Sequence, residues 1–289
     1  LSSASMTETP RLLEIRADGG RRELAALAPQ ALPAGESRQL TVPMPAGLGL
    51  DYKGETQWIA TYGAFSSKPF RVYAAPLSAQ GPRVDGDLDD WSHIPFFEIA
   101  SESQVLRNVG VWSPASASLR AGVWFTPATV YFAAEVNDDD PAFNPFEAKE
   151  IWRGDAMEFY LGLRGPTRRT VINKEFEYQI GIAPAFAGKR PLLFWFHKDE
   201  EIRAGEIQVR KTASGYQVEA AIPLSAIQAP QIVFNEGDFI ALDLALDDLD
   251  NGDSAPAAND PGRALMWNGG PMNWIDPSGW GLAVLQKAE

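Results

Sequence analysis

The sequence contains no cysteine, which excludes disulfide staples and thiolate metal sites. It has two histidines, His93 and His197, and their placement does not match the spacing of a metal-ligand pair. Positive charge is the minority sign. The 25 basic residues against 38 acidic ones leave a formal net charge of −13. Nucleic acid is excluded as a partner because phosphate binding needs a basic face, and anionic membrane surfaces are excluded with it. No apolar run reaches the roughly 18–20 residues of a membrane span. Long helical patterns are missing too, since 22 Pro and 25 Gly recur at short intervals and interrupt them. There is no Gly-x-Ser-x-Gly, His-Glu-x-x-His or phosphate loop. Carboxylates are plentiful, so a glycosidase is not excluded by counting acids, but no further catalytic signature accompanies them. No signal-peptide pattern opens the chain, so export is expected only of a trimmed form, with Leu1–Ser5 a loose end. The acidic, aromatic-rich composition fits a secreted or periplasmic bacterial location.

What is present is a repeated alternation with period two. Val130, Phe132, Ala134 and Val136 fall on one side of a strand, with Tyr131, Ala133 and Glu135 on the other. Ile240, Leu242, Leu244 and Leu246 alternate in the same way with Ala241, Asp243, Ala245 and Asp247. Short alternating runs separated by turns predict an all-β protein built of antiparallel β-sandwiches. The 289 residues suffice for two domains. A boundary is expected near Ala79–Pro82, giving a small immunoglobulin-like sandwich over 6–79 and a larger sandwich over 82–289. The first region shows strand-like runs at Arg11–Ala17, Glu23–Leu27, Arg38–Val42, Gln57–Tyr62 and Pro69–Ala74. The alternative is that these strands merely extend the main sandwich.

Three stretches stand out in order: Val84-Asp85-Gly86-Asp87-Leu88-Asp89-Asp90-Trp91, then Gly154-Asp155-Ala156-Met157-Glu158-Phe159-Tyr160-Leu161, then Ser214-Gly215-Tyr216-Gln217-Val218-Glu219-Ala220-Ala221-Ile222-Pro223. The first is an acidic turn leading to a Trp, the second a strand with Glu on one face, the third a strand ending at Pro. In series, over Val84 to Leu285, they resemble the family 9 carbohydrate-binding modules and their relatives. The resemblance implies a non-catalytic binder of sugar that targets an attached or partner polysaccharide-degrading enzyme, such as a glycoside hydrolase.

Alternation by itself puts Met157, Phe159 and Leu161 in the core and Ala156, Glu158 and Tyr160 on the opposite face. A charged residue in mid-strand needs water or a partner. If the next strand is a neighbour, Glu175, Glu177 and Gln179 join Glu158 and Tyr160 in one polar row suited to polyols. The resemblance assigns Trp152 as an aromatic platform for the sugar and Glu158 as a hydroxyl acceptor. It places a second aromatic wall at Trp267, flanked by Arg263 and Asn268, with Trp274 as a competitor in the same loop. Trp and sugar stack because axial C–H groups offer an apolar face to the ring. Trp124 and Trp280 lie inside strand patterns and are expected in the core.

Asp248-Leu249-Asp250-Asn251-Gly252-Asp253 alternates oxygen ligands around a turn Gly, and Asn137-Asp138-Asp139-Asp140 ends another strand. Asp138, Asp140, Asp248 and Asp250 are therefore candidate ligands of a structural calcium ion, which the resembling family also contains. A solvated acidic turn is the competing reading. Two other functions stay open. One is a structural or interaction sandwich without sugar binding. The other is a b-type haem domain using Met157, Met266, Met272 or His197 as axial ligands, which a visible spectrum would reveal.

Overall fold

The computed structural model describes residues 6–16, 19–32, 55–108, 110–140, 144–165, 171–184, 190–250 and 262–288. The expected strand at 38–42 lies outside them. The chain begins with β1 (Met6–Glu8), β2 (Pro10–Ile15), β3 (Arg21–Ala26), β4 (Gln30–Leu32), β5 (Glu55–Tyr62), β6 (Phe65–Ser66) and β7 (Phe70–Leu77). After the acidic turn come β8 (Phe97–Ile99), β9 (Val105–Arg107), β10 (Ala117–Phe125), β11 (Thr129–Asp138), β12 (Ala156–Gly162), β13 (Glu177–Ala183) and β14 (Leu192–Trp195). The rest is β15 (Glu200–Glu201), β16 (Glu206–Lys211), β17 (Gly215–Pro223), β18 (Phe239–Asp248), β19 (Arg263–Met266) and β20 (Gly281–Lys287). The described helical segments are short 3₁₀ turns. Among the described residues no helix is long and apolar enough to cross a membrane.

These strands form a β-sandwich. One layer runs β8-β10-β11-β17-β16. The other is larger and runs β3-β2-β5-β7-β20-β18-β12-β13-β14-β15, with β19 and β9 alongside the far half of β18. The alternating apolar positions meet between the layers as expected. Phe132, Val136, Val218 and Ile222 face Met157, Phe159, Ile180 and Leu244, all essentially without exposure. The Phe132 and Phe159 rings lie 5.5 Å apart across the interface.

The first strands run alongside the larger layer, and residues 33–54 of the expected immunoglobulin-like region over 6–79 lie outside the described residues. Strand β7 pairs in parallel with the C-terminal β20, from Val72–Leu282 to Leu77–Lys287, and β5 and β2 follow at its side. Trp58 and Val72 pack with Leu282 and Val284 in one apolar cluster. The N-terminal strands therefore extend the larger layer, because the flank of β20 offers them both hydrogen bonds and an apolar face.

Two of the three stretches singled out in the sequence, the first and the third, share one physical centre. Glu219, on the outer side of β17, is 1% exposed. It accepts hydrogen bonds from the indole Nε1 of Trp91 (2.8 Å) and from the backbone amides of Asp85 (3.0 Å) and Gly86 (2.7 Å). The third stretch thereby clamps the first onto the outer face of the smaller layer, where Trp91 meets Trp124 edge to face. Gly215 opens β17 with φ of 149°, and a Cβ there would stand 2.1 Å from the Val136 carbonyl oxygen. Removing the Glu219 carboxylate leaves three donors unanswered. Glu219→Ala is expected to cost about 3 kcal/mol in urea unfolding, and Glu219→Gln clearly less. A loss below about 1 kcal/mol in the alanine variant would show that the turn is held by something else.

Candidate functional site

Strand β12 lies between β13 and β18, and its register defines the outer face of the larger layer. Glu158 stands opposite Gly181 and Ala245, and Tyr160 opposite Gln179 and Asp243. Glu158 accepts from the Tyr160 hydroxyl at 2.7 Å and from the Gln179 side-chain amide. Both Glu158 and Gln179 are 8% exposed. Glu177 and Asp247 stand in the same polar face, opposite Gly162 and Ala156. Burial, then the neighbouring Glu158 carboxylate, raise the Tyr160 hydroxyl well above its ordinary value. Burial, again followed by Glu158, raises the Asp247 carboxyl in the same way. Glu175 does not join this row. It is exposed in the turn before β13, with its amide on Asn173.

Trp152 lies on the 3₁₀ turn Ala148–Arg153, which leads into β12. It is half-buried, while its neighbour Ile151 is buried against Ala183 and Phe194. Gly181 makes that approach possible, since a Cβ there would lie 2.6 Å from the Ile151 side chain. Asn144, itself buried, ties the turn down by donating to the carbonyls of Ile151 (2.7 Å) and Asp155 (3.0 Å). Beside the turn is a cleft of about 400 Å³ lined by Phe146, Ile151, Leu192 and Phe194, with Arg190 and Glu201 at its margin.

The proposed second wall is not available as expected. Trp267 is 1% exposed, lies in the core against Phe97 at 4.7 Å, and donates its Nε1 to Glu55 at 2.8 Å. A ring so enclosed cannot stack on a sugar. Arg263 is 5% exposed and paired with Asp248, with its Nε on Asn108. Asn268 is committed to the scaffold: it accepts from the Arg71 amide and donates to the Gly279 carbonyl. Exposure belongs instead to Trp274, at 52%. Its loop is anchored by Asp243, which accepts from the amides of Asn268 and Gly269 and from the Asn273 side chain. Burial outweighs those donors and pushes Asp243 up to about 6. Trp280 closes over Tyr160 at 5.5 Å and, with Trp124, is buried as expected. Of the suggested haem ligands, Met157 lies in the central core, Met272 is half exposed, and the Met266 sulfur accepts from Asn273.

The acidic residues gather at the ends of β11 and β18. Asp138, Asp155 and Asp248 are buried with carboxylate oxygens within 4.8 Å of one another, and Asp138, Asp139 and Asp250 form a second such group. Asp155 was not anticipated. Asp140 belongs to neither group, and its amide caps Asp138 at 2.9 Å. Asn251–Asp253 lie outside the described residues. Burial and the Asp138 charge push Asp248 up to about 8 in spite of Arg263. Tyr216 presents a buried hydroxyl without a partner, and its proton is held well above the ordinary value by burial and by Asp155, Asp138 and Asp248. Crowded buried oxygens of this kind fit a hard divalent cation, which would replace protons as the neutralising charge.

The family model described as carbohydrate family 9 binding domain-like matches residues 84–288, and the chain belongs to that family. Among solved structures it is similar to a carbohydrate binding module family 9 from Caldicellulosiruptor kristjanssonii. The complex of that protein with glucose gives a TM-score of 0.55 at 16% identity, covering 75% of this chain and 97% of that one. The complex with cellotriose gives 0.53 at 16% identity, covering 75% and 95%. At this identity the likeness establishes the fold, which is the β-sandwich described above. No curated protein sequence matches the chain.

Two expectations follow from the geometry. Trp267→Ala should cost about 3–5 kcal/mol of stability in chemical denaturation, as a core Trp does. Asp248 is raised in the fold above its unfolded value near 3.9, so its protonated form is favoured by folding. Without divalent cation, stability should therefore be greatest below about pH 4 for this group and fall as pH rises towards about 8. At about 1.4 kcal/mol per unit the ceiling of that loss is roughly 5 kcal/mol. Thermal unfolding in chelator across this range checks the sign.

Proposed function

We propose that this protein binds carbohydrate without chemistry of its own, on the outer face of the larger layer. The observation that carries the reading is the buried row of Glu158, Tyr160 and Gln179, held in register, with the half-buried Trp152 on a turn whose Ile151 packs on Gly181 opposite Glu158. A sugar needs an apolar platform for its C–H face and fixed acceptors and donors for its hydroxyls. Trp152 supplies the first, Glu158 and Gln179 the second. Trp274, the exposed aromatic of the opposite loop, takes the place first given to Trp267. Family membership supports the class of ligand, and the glucose and cellotriose complexes of the Caldicellulosiruptor kristjanssonii module support glucose-like rings as first probes. In this reading the protein holds a partner or attached polysaccharide-degrading enzyme on its substrate, outside the cytoplasm of a bacterial cell. A calcium ion on Asp138, Asp155 and Asp248 would supply fixed positive charge that stiffens the strand ends next to the site.

A second reading is a sandwich that serves structure or protein interaction. The internal use of Trp267, Arg263 and Asn268 favours it. Glycan arrays followed by calorimetry separate the two. On the sugar reading, Trp152→Ala lowers affinity by about 1–3 kcal/mol and leaves the melting temperature near that of the parent. Unchanged affinity in that variant would remove Trp152 from the site, and no binding to any glycan would transfer the weight to the structural reading. Added calcium should raise the melting temperature and chelator reverse it. Asp138→Asn should blunt that response, and a melting curve indifferent to calcium would argue for a solvated acidic turn.

A further inference from the structure

The middle of β18 carries a carboxylate inside a run of apolar residues. Asp243 lies between Leu242 and Leu244, has no exposure, and stands opposite Tyr160. Aspartate is depleted in strands, and burying its charge is costly unless donors answer it. Here donors answer both oxygens. Oδ1 accepts from the amides of Leu244 (2.9 Å) and Asn268 (3.0 Å). Oδ2 accepts from the Gly269 amide (2.7 Å) and the Asn273 side chain (3.0 Å). All but the Leu244 amide belong to the loop after β19.

Asn273 passes this grip to the residue that follows it, Trp274. Its side-chain oxygen accepts from the Gly270 amide at 3.0 Å, and its carbonyl accepts from the Trp280 indole at 3.3 Å. Trp280 lies against Tyr160, whose hydroxyl is bound to Glu158. On the other side of Trp274, the Ile275 carbonyl accepts from the Ile172 amide at 2.9 Å. Ile172 packs on the same cluster of Tyr160 and Trp280. The exposed indole is therefore fixed through both of its neighbours, beside the hydrogen-bond partner of Glu158. The fit is close, since a Cβ on Gly269 would stand 2.0 Å from the Asn273 Oδ1. An asparagine at 243 would offer one accepting atom where the carboxylate offers two. We propose that Asp243 is a positioning residue for sugar binding, which sets Trp274 beside the Glu158 row and acts on affinity through that ring. A wall fixed in advance lowers the ordering cost of binding. This rests on the sugar-binding reading above and adds to it the residue that fixes its second aromatic wall.

The test is a double-mutant cycle on the intact chain, read by calorimetry with cellobiose or, where an array shows a tighter glycan, with that one. The variants are Asp243→Asn, Trp274→Ala and the two together, each shown to be folded by near-UV circular dichroism. Each single change should weaken binding about tenfold. The double variant should bind no more weakly than Trp274→Ala alone, because both changes remove the same contact, whereas independent losses would multiply. A residue that serves stability alone gives a different pattern. Its loss would lower the melting temperature and leave affinity unchanged, or weaken binding equally with and without Trp274, and either result overturns the inference. If Asp243→Asn does not fold, Gly269→Ala takes its part in the cycle, since it keeps the carboxylate and drives Asn273 from its place. Full affinity in Trp274→Ala would overturn the inference and leave sugar binding standing. No binding to cellobiose or to any arrayed glycan would overturn the sugar reading and this inference together.

Discussion

Strand β12 has no wet face: every residue from Ala156 to Gly162 is buried. Its inner side is packed by the sandwich core, and on its outer side Trp280 lies against Tyr160 and Ile151 against Gly181, opposite Glu158. Under that constraint a polar residue cannot be satisfied by solvent, so each one requires another as its partner. Glu158 is therefore tied to Tyr160 and Gln179, and Asp243 to the amides of the loop that displays Trp274. A ligand at this place meets an ordered network instead of independent side chains. Such pre-arrangement lowers the ordering cost of recognition.

The interior acids are neutralised in two different ways. Glu219 is answered by three N–H groups, and it behaves as a structural rivet between the acidic turn and β17. The aspartates at the ends of β11 and β18 meet one another, with Asp138 accepting from the Asp140 amide and Asp155 from the Leu249 amide. Asp248 has Arg263, but Asp138 and Asp155 crowd it at close range. The first arrangement meets a carboxylate with N–H donors, whereas the second sets carboxylates against one another, where like charges oppose ionisation. The first lies on the outer face of the smaller layer, whereas the second gathers strand ends from both layers, β11 of the smaller and β18 of the larger.

Much of the sandwich was legible because alternation is a local property. Met157, Phe159 and Leu161, like the even-numbered residues from Ile240 to Leu246, face inward for the reason their spacing gives. The pairing of Glu158 with Gln179 followed once their strands were assumed to be neighbours. Trp267 was not legible in the same way. Its burial depends on Glu55, 212 residues earlier in the chain, and on Phe97 of the other layer. Nothing within its own loop distinguishes it from Trp274. Asp155 and Asp247 were hidden for another reason. Each lies within a stretch already noted, yet their meaning arises only when β11, β12 and β18 lie side by side. The described N-terminal strands read correctly as strands, but β20, with which β7 pairs, lies more than two hundred residues further on.

That last pairing orders events in time as well as in space. Val72 meets Leu282, more than two hundred residues later, and the strand joining them forms the seam between the first-made and last-made parts of the larger layer. During synthesis β7 waits unpaired on this side until β20, more than two hundred residues later, has been delivered. Contacts of such sequence separation are slow to form, and their exposed edges invite wrong partners meanwhile. Once the seam is shut, the N-terminal strands cover the flank of β20 and the apolar surface of Leu282 and Val284. The leading strands thus act as a permanent cover for an edge that would otherwise be left sticky, and a protein trimmed to the family 9 portion would have to live with that edge bare.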